Sequence, residues 1–173
     1  MFNWFKKKPP ATKTETVKPV SKQEKSRHSS HGLIHFNENL IDNLVSEHKE
    51  LLRIYTAMLT ALDNKAYTEV SQGLSEFSTL LHAHLLKEHV ELYVYLEYSL
   101  QNDSETFQHM HEIRTEMDHI SSVVMGFLHT YQRDPVNKKN TEAFRKSLSE
   151  IGTVLVARIK REEDTLYTLY KMT

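Results

Sequence analysis

Four long segments of this chain carry apolar side chains at alternating three- and four-residue steps, the period of one face of an α-helix. The first stripe is Ile41, Leu44, His48, Leu51, Tyr55, Met58 and Leu62, and the second is Leu74, Phe77, Leu81, His84, Glu88, Leu92 and Tyr95. The third runs Met110, Ile113, Met117, Ile120, Val124, Phe127, Tyr131, and the fourth Leu148, Ile151, Leu155, Arg158, Glu162, Leu166, Leu169. Short polar breaks separate them: Asp63-Asn64, then Asn102-Asp103-Ser104 with a capping candidate, then Arg133-Asp134-Pro135. Asn140 or Thr141 can cap the last helix. Four glycines and four prolines in 173 residues are few for a turn-rich β fold. Four amphipathic helices with short connections bury their stripes best as an all-α, antiparallel up-down-up-down four-helix bundle.

The stripes repeat. An offset of 69 residues carries the first onto the third, and an offset of 74 carries the second onto the fourth. Side chains follow the register: Glu47-His48 answers to Glu116-Met117, and Met58-Leu59 to Phe127-Leu128. Glu88 with Leu92-Tyr93 answers to Glu162 with Leu166-Tyr167. The chain reads as two copies of one helical hairpin.

Charge divides the chain differently. Residues 1–31 hold eight Lys/Arg against Glu15 and Glu24, a balance of +6, whereas the whole chain carries −1, leaving −7 for the rest. The expected organisation is a disordered basic tail over 1–35 and the bundle over 36–173. Met1-Phe2-Asn3-Trp4-Phe5 followed by three lysines reads as part of a solvated tail, the other reading being an aromatic-basic hook for an acidic membrane or partner. An acidic bundle argues against nucleic acid as a partner. No apolar run reaches the length of a membrane span, so no stable membrane insertion is expected. The N-terminus lacks the apolar core of a secretory signal and there is no cysteine, which together make a cytoplasmic location the expectation.

Polar residues interrupt the stripes at one depth. His48, the pair His84 and Glu88, and Glu162 occupy positions where Leu or Ile would stabilise a bundle. A buried carboxylate without a partner costs several kcal/mol. These groups therefore need each other, a metal, or another cation. His and Glu four apart share a helix face, and imidazole with carboxylate suits iron, zinc or manganese. Facing helices of a bundle are where such centres are built. The alternative is a polar core network in which each His is hydrogen-bonded and nothing is bound.

His48, followed by His84-Leu-Leu-Lys-Glu88-His89-Val-Glu-Leu92-Tyr93, resembles the hemerythrin-like (HHE cation-binding) superfamily over roughly residues 36–172. The resemblance implies a first-helix His, then His-x-x-x-Glu, then the same set again, holding a non-haem di-iron centre. It further implies binding of oxygen or nitric oxide, or sensing of iron or redox state. This chain departs from that pattern. Met117 and Arg158 stand where the second hairpin's two His ligands are expected, while Glu88 and Glu162 remain. A guanidinium stays protonated and cannot ligate a metal. Arg158 is instead expected to take the place of a second metal, cation for cation. What is left is an at most mononuclear site with ligands His48, His84, Glu88 and Glu162, iron being the expected ion if one is bound. His109 faces inward about two turns away; it, His111 and His119 are read as surface or rim residues, and His82 and His89 as solvated or supporting the site from behind.

A second resemblance, over Leu40 to Tyr55 and Phe144 to Arg158, is to the regulator-of-sigma-D family of helical bacterial proteins that sequester a sigma factor. There too an Arg is followed four residues later by Glu in the last helix, as Arg158 and Glu162 are here. It implies the alternative of a metal-independent, partner-binding regulator. No nucleophile–base pair and no phosphate-cradling glycine loop is present, so an enzyme is not expected. The ligand count also argues against reversible oxygen carriage of the di-iron kind.

Overall fold

The computed structural model describes residues 34–171. The expected disorder and the aromatic-basic cluster at the N-terminus fall on residues that lie, apart from 34 and 35, outside it. Helix α1 is Leu40–Asp63, α2 is Tyr67–Lys87, α3 is Val94–Ser99, α4 is Ser104–Arg133 and α5 is Thr141–Arg161. A π-helical segment, Glu88–Tyr93, joins α2 to α3 without a break, and a second, Glu162–Leu166, extends α5 into a 3₁₀ turn, Tyr167–Leu169. There are thus four rods. α1 packs on α2 and α5, and α4 packs on α2 and α5, which closes the antiparallel ring. No strand occurs among the described residues. No helix among them is long and apolar enough to cross a membrane.

The connections follow from local chemistry. α1 ends in a Schellman arrangement: Ala66 N–H donates to the Ala61 carbonyl (2.9 Å) and Lys65 N–H to that of Leu62 (3.1 Å). Lys65 supplies the left-handed residue this motif needs, at φ 57°. Asp103 caps α4 by accepting from Thr106 N–H at 3.1 Å. Asn140 precedes α5 but caps the loop instead, its Oδ1 accepting from Asn137 N–H at 2.8 Å. Val136, buried, pins that loop to the core.

The stripes locate the interior with small shifts. All seven members of the second stripe are buried, whereas Tyr131 and Leu169 at the ends of the third and fourth are half-buried. In α1 the register is off by one at two points: Leu40 and Ile54 are buried, while Ile41 and Tyr55 are half-buried. His109 also corrects the sequence reading. It lies outward, 47% exposed, because its neighbour Met110 takes the interior position.

The core is divided in two. One apolar compartment contains Leu51, Met58, Leu74, Phe77, Val124 and Phe144; the other contains Leu40, Leu44, Leu92, Leu96, Ile113 and Leu166. Between them lie the buried polar residues His48, His84, Glu88, Arg158 and Glu162.

Gly152 on α5 allows the closest approach to α1. A Cβ there would overlap the Tyr55 ring at Oη and Cζ. Overpacking of this kind costs about 1–3 kcal/mol, against about 1 kcal/mol gained in helix propensity. Gly152→Ala is therefore expected to lower the urea midpoint. In a Tyr55→Ala background the clash is gone, and the same substitution is expected to raise it.

Candidate metal centre

The site is built where two rods depart from ideal α geometry. In the second rod the buried residues His84, Glu88, Leu92 and Leu96 follow one another at four-residue steps, and in the fourth Arg158, Glu162, Leu166 and Tyr170 do the same. An α-helix of 3.6 residues per turn would rotate each such step about 40° off the stripe. The wider π turn absorbs that drift, so both segments keep their four-spaced residues facing inward. π segments of this kind cluster at functional sites. Both begin on the site glutamate, Glu88 in one and Glu162 in the other.

Three ligand-type atoms converge. One donor atom each of His48, His84 and Glu162 lies within 4.8 Å of the others, and all three residues are buried. His48 Nε2 is the hub, 3.2 Å from His84 Nε2 and 3.3 Å from Glu162 Oε2. Such spacings are those of donors about 2 Å from a common centre. Glu88 stands at the edge of the set, its Oε2 3.9 Å from His84 Nε2. Neither Glu88 Oε2 nor Glu162 Oε2 has a hydrogen-bond partner, although both are buried.

Each imidazole is held from behind. His48 Nδ1 donates to Glu163 Oε1 (2.9 Å), and His84 Nδ1 donates to Glu47 Oε2 (3.0 Å). An ionised carboxylate only accepts, so these bonds place the hydrogen on Nδ1. The Nε2 lone pairs then point at each other across 3.2 Å. Two opposed lone pairs repel unless a cation lies between them. A proton on His48 is one such cation: burial works against it, but Glu162 and Glu163 outweigh burial and raise the His48 pKa. Burial and the neighbouring His48 charge lower that of His84 despite Glu47. A metal ion is the other, and carboxylate–imidazole pairs are the usual support of a metal-bound histidine. The buried, unpartnered oxygens and the two opposed nitrogens fit a cation in this place.

The second hairpin offers a cation of its own. Arg158 is 2% exposed; its Nε donates to Glu162 Oε1 at 2.8 Å, and its Nη2 lies in ion-pair contact with the same oxygen at 2.8 Å. Its remaining donors reach the Ile113 carbonyl and Tyr93 Oη, each at 3.2 Å. Met117 lines a small cavity together with His48, His84, Arg158 and Glu162. That cavity, about 20 Å³, has room for one ion or one water.

The repeat extends beyond the stripes. Lys87 pairs with Glu47, and at the same offsets Arg161 pairs with Glu116. Tyr93 reaches from the first hairpin to Arg158 in the second. Tyr167, its counterpart, reaches back to the first hairpin, donating to Glu88 Oε1 at 3.0 Å. Sequence reasoning did not assign Glu47, Glu163, Tyr93 or Tyr167 to the site, although the repeated Leu-Tyr dipeptide was a signal for both tyrosines. His82 and His89 are exposed, as are His109 and His119, and His111 is half-buried. None joins the cluster.

The family model described as Hemerythrin HHE cation binding domain matches residues 39–170. The chain belongs to that family. Its hemerythrin-like bundle carries an incomplete His/His/Glu cluster rather than a full two-metal set. Membership of a cation-binding family accords with a binding module rather than a catalyst. No curated protein and no solved structure matches the chain. Nothing in the family match points to a sigma factor as partner.

Proposed function

We propose that this hemerythrin-like bundle binds a single metal ion, iron in the first place, through His48, His84 and Glu162, with Glu88 at the open side. The observation that carries this reading is the pair of Nε2 atoms held 3.2 Å apart, each with its Nδ1 hydrogen already donated to a carboxylate. Histidine nitrogens with a carboxylate oxygen suit iron or zinc, and the size of the cavity limits the site to one ion. The Arg158 guanidinium stands in for the second cation and neutralises Glu162, so a single divalent ion leaves the layer close to charge balance.

Bound iron would supply a redox-active centre. The chain's own residues do the rest: Glu47 and Glu163 fix the two imidazoles, Arg158 orients Glu162, and the apolar compartments on either side keep bulk water out. A site so enclosed favours sensing of iron or redox state over oxygen carriage, in a cytoplasmic regulatory role.

Metal analysis of protein purified with iron present tests the reading. About one equivalent per chain is expected, falling to background in His84→Ala while the helical circular dichroism is kept. Two tightly held irons, or a wild type that binds neither iron nor zinc, would overturn it.

A further inference from the structure

Tyr167 is not used by the reading just given, which rests on two imidazoles and carboxylates, yet its oxygen stands beside His48 Nε2, the hub of the donor atoms. Tyr167 Oη is 3.3 Å from His48 Nε2, the same separation that Glu162 Oε2 keeps from that nitrogen. Its ring lies parallel to the His48 ring, 9° between planes and 5.7 Å between centroids. The side chain is buried, 5% exposed, so the placement is fixed by packing in the Leu40–Leu166 compartment. Its hydrogen is committed elsewhere, to Glu88 Oε1 at 3.0 Å. The oxygen therefore turns its lone pairs, rather than its hydrogen, toward the His48 nitrogen.

We infer that Tyr167 is a fourth protein ligand, bound through its phenolate oxygen, and that the centre is thereby a ferric site. The inference rests on the mononuclear reading above and adds to it the oxidation state the site prefers. Were iron bound there, the Tyr167 oxygen would hold it as phenolate, and Glu88 Oε1, which already accepts the phenolic hydrogen bond, is the group placed to take the proton. No electron is transferred in this step. Phenolate and carboxylate are hard anionic donors, and two anionic oxygens beside two imidazoles stabilise Fe(III) over Fe(II). The role of Glu88 then becomes specific. Without a metal, burial and the Glu88 and Glu162 carboxylates keep the Tyr167 hydroxyl protonated; Glu88, at the edge of the cluster and facing the phenol, is the acceptor for its proton when a metal displaces it.

The pseudo-symmetric tyrosine marks the contrast. Tyr93 begins from the same place in its own repeat but meets the Arg158 guanidinium, 3.2 Å away. One tyrosine therefore faces the protein's fixed cation, and the other faces the place where a mobile one would bind.

The test is visible spectroscopy of the full chain loaded with Fe(III), read together with its iron content. A phenolate-to-iron(III) charge-transfer band is expected in the wild type, with tyrosinate vibrations enhanced when resonance Raman is excited in that band. Tyr167→Phe is expected to keep at least half of the iron and to lose the band. Stoichiometric iron without the band or the tyrosinate vibrations in the wild type would overturn the inference and leave the mononuclear reading intact. A band that survives Tyr167→Phe would do the same. Absence of bound iron in the wild type would overturn both. The wild-type spectrum alone can overturn the inference, so it stays falsifiable even if the variant folds poorly.

Discussion

Arg158→Met is expected to cost the metal-free protein about 3–5 kcal/mol of folding free energy, the range for breaking a buried ion pair from one side. Folded domains hold only about 5–15 kcal/mol in all, so the variant should sit near the edge of stability. The cause is the partner rather than the arginine. With the guanidinium gone, Glu162 Oε1 loses its hydrogen bond and its ion-pair partner, both at 2.8 Å, and becomes a second orphan beside Oε2. The Ile113 carbonyl and Tyr93 Oη lose a donor each. Methionine matches the volume and adds no void of consequence. Adding Glu162→Gln should restore much of the loss, because the uncompensated charge disappears. Urea unfolding of the two single variants and the double variant measures this as a cycle. A double variant no more stable than Arg158→Met would show that the guanidinium stabilises through packing alone.

Phe144→Ala is expected to cost a similar amount, about 3–5 kcal/mol, by a different route. Phe144 is fully buried and stacks on Phe127 at 5.6 Å, with Tyr131 edge-on at 4.8 Å. Truncation leaves a cavity lined by rings that cannot collapse into it. The prediction has a second part. Phe144 lies in the compartment that holds Phe77 and Leu148, away from the Nε2 pair. Iron bound per folded molecule should therefore stay at the wild-type value, although the thermal midpoint falls. The Arg158 and Phe144 variants separate charge from packing at comparable energetic scale.

How much of this was legible in the sequence depends on which force places each residue. Burial of apolar surface follows period, so the four stripes and their repeat gave the bundle and the depth of His48, His84, Glu88 and Glu162. Register is softer. At the start of α1 both Leu40 and Ile41 are apolar, so sequence alone does not say which one leads the stripe. His109 was misread for a related reason, since stepping from Met110 by one residue swings a side chain about 100°. The π segments were hidden in plain view, as runs of four-residue steps that an unbroken α-helix would not keep on one face. Glu47, Glu163 and Tyr167 were not legible as site residues, because hydrogen bonds behind an imidazole depend on how rods meet. The pairing of Arg158 with Glu162, by contrast, needed only one helix and was readable from a spacing of four.

The polar layer has an apolar block on each side, and this bears on how such a centre can change. The two blocks carry most of the burial free energy, and neither depends on which groups fill the layer between them. The layer asks only that its charges cancel and its donors find acceptors. An arginine at 158 meets part of that condition, since its guanidinium pairs with Glu162 inside the layer. The bundle can therefore change its ionic contents while its walls stand, provided that opposite charges change together, as a lock can be re-keyed without rebuilding the door.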